Sequence, residues 1–164
     1  MNVASIVEGE GEVAALPILL RRLGEWRTPE SVVAPLPPIR VRRDRFLNRD
    51  EEFNRYLQLA AAKCEEEGWI LVVLDADDDC PAELGPHLLA RAQACVPHRR
   101  ISVVLANREY EAWFIAAAKS LHGQRGFNFD PTDAIDPETP RDAKGWMKTD
   151  RAEMALRRLK QANA

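Results

Sequence analysis

The chain has 164 residues, enough for one domain with a single core, and its 46% hydrophobic and 30% charged residues exclude wholesale disorder. The net charge of −3 is too small to decide for or against a nucleic-acid partner, which local charge distribution must settle. No apolar run approaches the ~20 residues that a helical membrane span requires.

The N-terminus enters a strand-like run, MNVASIVE, so no signal peptide and no membrane association are expected. Cys64, Cys80 and Cys95 are odd in number and lack C-x-x-C spacing. They read as reduced thiols in a cytoplasm rather than a zinc site.

Val3 to Val7 is the first strand candidate, followed by the acidic, glycine-punctuated turn 8–12. Apolar positions at 13, 16, 19, 20 and 23 predict a helix from Val13 to Leu23. Pro17 is tolerable if that helix starts near Gly11, and Gly24 is the expected stop. Residues 25–38 carry four prolines and read as loop, with a short strand expected at 31–34.

The stretch 39–49 is arginine-dense, with Arg40, Arg42, Arg43, Arg45 and Arg49. In an extended segment, Arg40 and Arg42 share one face, which suits phosphate neutralisation as well as it suits a charged edge strand. A long helix is expected over 50–67, ended by Gly68, and a central buried strand over 69–74. A helix over 81–95, a strand over 101–105 and a helix over 110–121 follow. Trp113 and Phe114 read as core. Residues 123–140 are a Pro/Asp-rich loop, and 149–162 a polar closing helix. Strands alternating with helices predict an α/β fold, a mostly parallel sheet flanked by helices on both faces, with ligands at the carboxyl ends of the strands.

Three of those strand ends are acidic: Glu8, Asp75 with Asp77, and Glu109. Side-chain alternation would hold the Asp75-x-Asp77 carboxylates on one side of a strand end, a repulsive placement that a divalent cation relieves. Glu8 and Glu12, four apart across a helix start, can face one point. Taken singly, Glu10, Asp78, Asp79 and Glu111 read as solvated-loop or helix-cap residues as readily as they do as site residues; Asp78 and Asp79 read as bystanders, with Asp79 placed to cap the helix at 81. His87, His98 and His122 are scattered, and no Ser-His-Asp arrangement is legible. Gly9-x-Gly11 lacks the third glycine of the dinucleotide fingerprint and has acidic neighbours.

The blocks VEGEGEVAALPILLRRL, LVVLDADDDCP, VVLANREYEAWFIAA and RDAKGWM, in this order, resemble a family of uncharacterised bacterial TOPRIM-like proteins related to OLD-type nucleases. That resemblance implies a Rossmann-like TOPRIM fold over residues 1–148, with 149–164 as a C-terminal helix packed on it or extending it. It implies Mg²⁺- or Mn²⁺-dependent phosphodiester hydrolysis, with Glu8, Asp75 and Asp77 as metal ligands. Glu12 and Glu109 would join them, Asn107 standing where such sites carry serine, and Lys144 would serve as the catalytic lysine. The expected partner is nucleic acid, DNA before RNA, with a partner ATPase and homo-oligomerisation as further options.

Two other readings fit the same residues. A short C-terminus and the lack of a dedicated DNA-binding domain suit a non-catalytic module that binds nucleic acid or an ATPase. The bare Asp75-Ala76-Asp77 pattern after a strand also suits an aspartyl-phosphate phosphatase, against which Glu8 and the missing Gly/Thr signature argue.

Overall fold

The computed structural model describes residues 1–123, 136–143 and 145. The chain forms two compact units, one of Met1–Leu105 and one beginning at Ala106. The first contains β1 (Asn2–Val7), α1 (Glu10–Arg27), β2 (Ala34–Pro35), β3 (Ile39–Arg40), α2 (Arg43–Asn48), α3 (Asp50–Cys64), β4 (Trp69–Asp75), α4 (Pro81–Cys95) and β5 (Arg100–Ala106), whose last residue begins the second unit.

The strands form one five-stranded sheet in the order β2-β1-β4-β5, with β3 also on β1. All three pairings of β1 are parallel. β4 runs beside β1 from Val3↔Trp69 to Val7↔Val73, so β2 and β3 share the other edge of β1, one near each end.

From β1 the chain steps to one side for β2 and β3, then returns past β1 to β4 on the other side. Right-handed crossovers therefore place α1 on one face and α2 and α3 on the opposite face. The first unit is thus an α/β fold with a mostly parallel sheet flanked by helices, as the alternation of elements predicts.

Both faces of the central strands are buried, which is why β1 and β4 read as continuous apolar runs. On the α3 face, Ala4, Ile6, Ile70, Val72 and Leu74 pack in one cluster with Phe46, Phe53, Leu57, Ala60, Leu88 and Ala92. On the other, Val3, Val7, Leu71 and Val73 are buried, and α1 buries Leu16 and Leu20. No helix among the described residues is long and apolar enough to cross a membrane.

Several boundaries differ from the sequence expectation, each for a local reason. α1 begins at Glu10, so Pro17 falls in the helix interior, beyond the first turn's unpaired N–H groups. The helix also runs through Gly24 to Arg27, so Gly24 is not its stop. Gly24 is buried against Val33, whose side chain a Cβ would meet at 2.7 Å, and its carbonyl accepts the Thr28 N–H at 2.8 Å.

α3 stops at Cys64, three residues short of the expected end, because Glu65 takes a positive φ of 60°. Gly68 lies so close to the end of α3 that a Cβ would sit 2.0 Å from the Cys64 carbonyl oxygen, a backbone atom that cannot swing away. Gly68→Ala is therefore expected to destabilise the protein by about 2 kcal/mol, as overpacking does, visible as a lower denaturation midpoint at unchanged slope. An unchanged midpoint would contradict the close approach.

In the second unit, α5 (Ala112–Ala116) and α6 (Ala118–Leu121) replace the single helix expected over 110–121. The chain enters through i→i+3 bonds, Ala112 N–H to Glu109 and Trp113 N–H to Tyr110, and breaks at Ala117 with ψ near 0°. Trp113 and Phe114 are not core residues: each is 36% exposed, grouped around the buried Tyr110. The closing helix expected over 149–162 lies outside the described residues.

Candidate functional site

The carboxyl ends of β1 and β4 are adjacent, at the point where the winding of the sheet reverses. Val7 and Val73 are the last paired residues, so Glu8 directly follows the end of β1 beside the end of β4 at Asp75. In open parallel sheets this reversal point is where ligands bind. The two neighbouring buried strands end there together, and the turn after β4 brings Asp77 within electrostatic reach of Glu8.

Glu8 is half-buried, and its Oε2 is enclosed without a hydrogen-bond partner. Burial raises the pKa of this carboxyl above the ordinary glutamate value. Asp77 raises it further, Arg43 pulls it down, and Glu12 and Asp44 add smaller upward pushes. Those neighbours place Glu12 and Asp77 within electrostatic reach of Glu8.

Glu12 is third in α1 and only 5% exposed. Its carboxylate folds back over Gly9, where a Cβ would come within 2.5 Å of Oε2. The absence of a side chain at Gly9 is what lets a buried carboxylate lie there. The positive end of α1 favours its charge.

Asp77 reaches the site by a different route from the one its spacing suggests. β4 ends at Asp75, and period-two alternation ends with it. Residues 76–79 form a tight turn closed by the Asp79 N–H to the Ala76 carbonyl at 2.9 Å, with Asp77 at a positive φ of 52°. Aspartate tolerates that left-handed conformation better than most residues do.

The residue that shapes this turn is Arg43, the first residue of α2. Its side chain is only 11% exposed. Nε donates to the Asp75 carbonyl at 2.8 Å and Nη2 to the Ala76 carbonyl at 3.1 Å. Nη2 also donates to Asp79 Oδ2 at 2.5 Å, while Nη1 pairs with Asp77 Oδ2 at 3.3 Å. Asp79 is thus neither a bystander nor the cap of α4. The N-cap of α4 is Cys80, which makes no side-chain capping bond, and the Asp79 carboxylate serves Arg43.

Arg40 ties down the other rim. Its Nε donates to the Glu8 carbonyl at 3.1 Å, and its Nη1 pairs with Glu10. Ile39 and Val41 are buried while Arg40 and Arg42 are exposed, so the extended run does set these two arginines on its outer side.

Nothing in residue type alone separates Arg43 from its four neighbouring arginines. A usable signal was its position: a cation opening a helix opposes the helix dipole and calls for a partner elsewhere.

Glu109 and Asn107 belong to the second unit. Glu109 Oε2 accepts the Ala143 N–H at 2.9 Å, and Asn107 Nδ2 donates to Glu138 at 2.6 Å, so both make contacts within their own unit. Lys144 lies outside the described residues.

Among the described residues, no three histidine, cysteine or acidic side chains are already gathered as a metal cage. The donor chemistry at the β1 and β4 ends nevertheless suits a hard cation. The site supplies carboxylate oxygens, one of them buried and unpartnered, and a neighbouring aspartate held by a guanidinium. The chain matches no protein-family model, no curated protein sequence and no solved structure.

Proposed function

We propose that the first unit is a TOPRIM-like phosphodiesterase domain that hydrolyses nucleic acid with Mg²⁺ or Mn²⁺ at the β1 and β4 ends. The observation that carries this reading is the enclosed, unpartnered Oε2 of Glu8 beside Asp77 and Glu12. Enclosing a carboxylate oxygen with no donor is costly, and a bound cation removes the cost.

Glu8, Asp75 and Asp77 would hold the ion, with Glu12 close enough to Glu8 to support it. A bound Mg²⁺ supplies Lewis-acid polarisation of a phosphoryl oxygen and a more acidic water. Glu8, whose carboxyl burial and the charge of Asp77 push above the ordinary glutamate value, is the group best placed to exchange a proton there. The exposed Arg42 and Arg45 supply positive charge for a phosphate backbone beside the site.

The test is incubation of the protein with supercoiled plasmid and with single-stranded DNA in Mg²⁺ or Mn²⁺, with EDTA and Asp75→Ala as controls. Cleavage is expected to require the metal and to fall by at least about a hundredfold in Asp75→Ala, the scale for losing a preorganised electrostatic contact. Cleavage that survives Asp75→Ala sinks the assignment.

One observation favours a binding module instead: Arg43 already neutralises part of the acidic turn. Metal binding detected by calorimetry with no turnover of either DNA would select that reading.

A further inference from the structure

Arg43 is placed so that one guanidinium does two different things. Nε and Nη2 hold the main chain of the turn, through the carbonyls of Asp75 and Ala76, and Nη2 also holds the Asp79 carboxylate. Nη1 alone reaches Asp77, at 3.3 Å, and Asp77 is the aspartate whose charge presses on Glu8. The two main-chain bonds are part-buried, at 2.8 and 3.1 Å, and the bond to the exposed Asp79 carboxylate is the shortest of the set. The second contact is longer, and its acceptor is 56% exposed.

A divalent cation at Glu8 would compete for Asp77 with the weaker contact and leave the stronger ones intact. We propose that Arg43 is the built-in counter-cation of the site: it holds Asp77 while no metal is bound, yields Asp77 to the metal, and keeps the Asp75–Asp79 turn in shape throughout. This rests on the metal-site reading above. It makes Arg43 a positioning residue, one that acts through Asp77 rather than on the substrate.

The two roles predict opposite outcomes for removal of the charge. A residue that only shapes the turn would, when replaced, weaken metal binding. A competing cation would, when removed, strengthen it. For one positive charge a few ångströms from a partly solvated carboxylate the expected gain is about tenfold.

The measurement is Mg²⁺ and Mn²⁺ affinity by calorimetry on the full chain. Arg43→Gln, which can still donate to a carbonyl, is expected to bind about tenfold more tightly than the wild type. Arg43→Lys, which keeps the charge and loses the fork, is expected to bind no more tightly than the wild type.

A second readout avoids substitution altogether. In the wild-type protein the Arg43 Nη resonances should shift or broaden on titration with diamagnetic Mg²⁺, while the Nε–H bonded to Asp75 stays in place. Equal or weaker binding by Arg43→Gln overturns the inference while leaving the metal site standing, and so does a Mg²⁺-insensitive Nη signal in a wild type that binds Mg²⁺. No binding by either the wild type or Arg43→Gln overturns the metal reading itself.

Discussion

Glu8→Gln is expected to stabilise the metal-free protein at alkaline pH and to abolish its thermal response to divalent cations. Burial is the main reason the Glu8 carboxyl holds its proton above the ordinary range, with Asp77 next and Arg43 opposing. A carboxyl with a raised folded-state pKa favours folding most when it is protonated in both states, at or below the ordinary glutamate value. That advantage is lost as pH rises through the raised folded value, because the charge then forms inside the protein.

In EDTA, wild-type stability should therefore decline from about pH 4.5 upward through that value, the ordinary glutamate point being 4.5, and the glutamine variant should lack this decline. Relief of an enclosed charge with no donor is worth about 1 kcal/mol, which for a chain of this size is about 2–4 °C in melting temperature at pH 8. Mn²⁺ at about a hundred times its dissociation constant should add about 2.7 kcal/mol to the wild type, and little to the variant. A variant that melts below the wild type in EDTA at pH 8 would falsify the claim that ionised Glu8 is held at a cost.

The same residues show what a sequence can and cannot reveal. β1 and β4 were legible because burial on both faces writes itself as an unbroken apolar run, and their parallel pairing follows from the helices between strands. α4 was legible to the residue because Pro81 opens it and its apolar spacing runs to Cys95. The meeting of Glu8 with the Asp75–Asp79 turn was legible in outline, since both follow strands of one sheet.

The shape of the turn was not. Periodicity describes a strand only as long as the strand continues, and the left-handed Asp77 and its partner Arg43 are set by a contact thirty-four residues apart in sequence, from 43 to 77. Gly24 and Gly68 misled in the same way. Glycine marks a stop when its backbone freedom is used, but here it marks close approach to Val33 and to the Cys64 carbonyl.

Phe46→Ala should be among the most destabilising single changes in the first unit, and its effect should reach the site. α2 has only six residues, too few to be helical on its own propensity, so its conformation depends on tertiary packing. Phe46 supplies that packing. It is fully buried, its ring lies 4.8 Å from that of Phe53 and 6.4 Å from that of Tyr56, and it belongs to the cluster under β1 and β4.

Arg91 closes the junction of α2 and α3 from outside. It stacks over Phe53 at 3.8 Å while donating to the Leu47 carbonyl and to Asp50, each at 2.7 Å. Truncating Phe46 removes a ring from this assembly and leaves a cavity that the surrounding sheet cannot fill, a loss of about 3–5 kcal/mol and of about 6–20 °C in melting temperature. Phe46→Leu, which keeps most of the volume, should cost less than half as much.

Arg43 sits one turn before Phe46 on the same helix, so a loosened α2 also releases the clamp on the Asp75–Asp79 turn. Amide exchange should then speed up at residues 43–48 and at Asp79, whose N–H closes the turn, more than in α1, which lies on the opposite face of the sheet. Equal acceleration across α1 as well would show instead that the whole unit opens together, and that α2 does not shape the site separately.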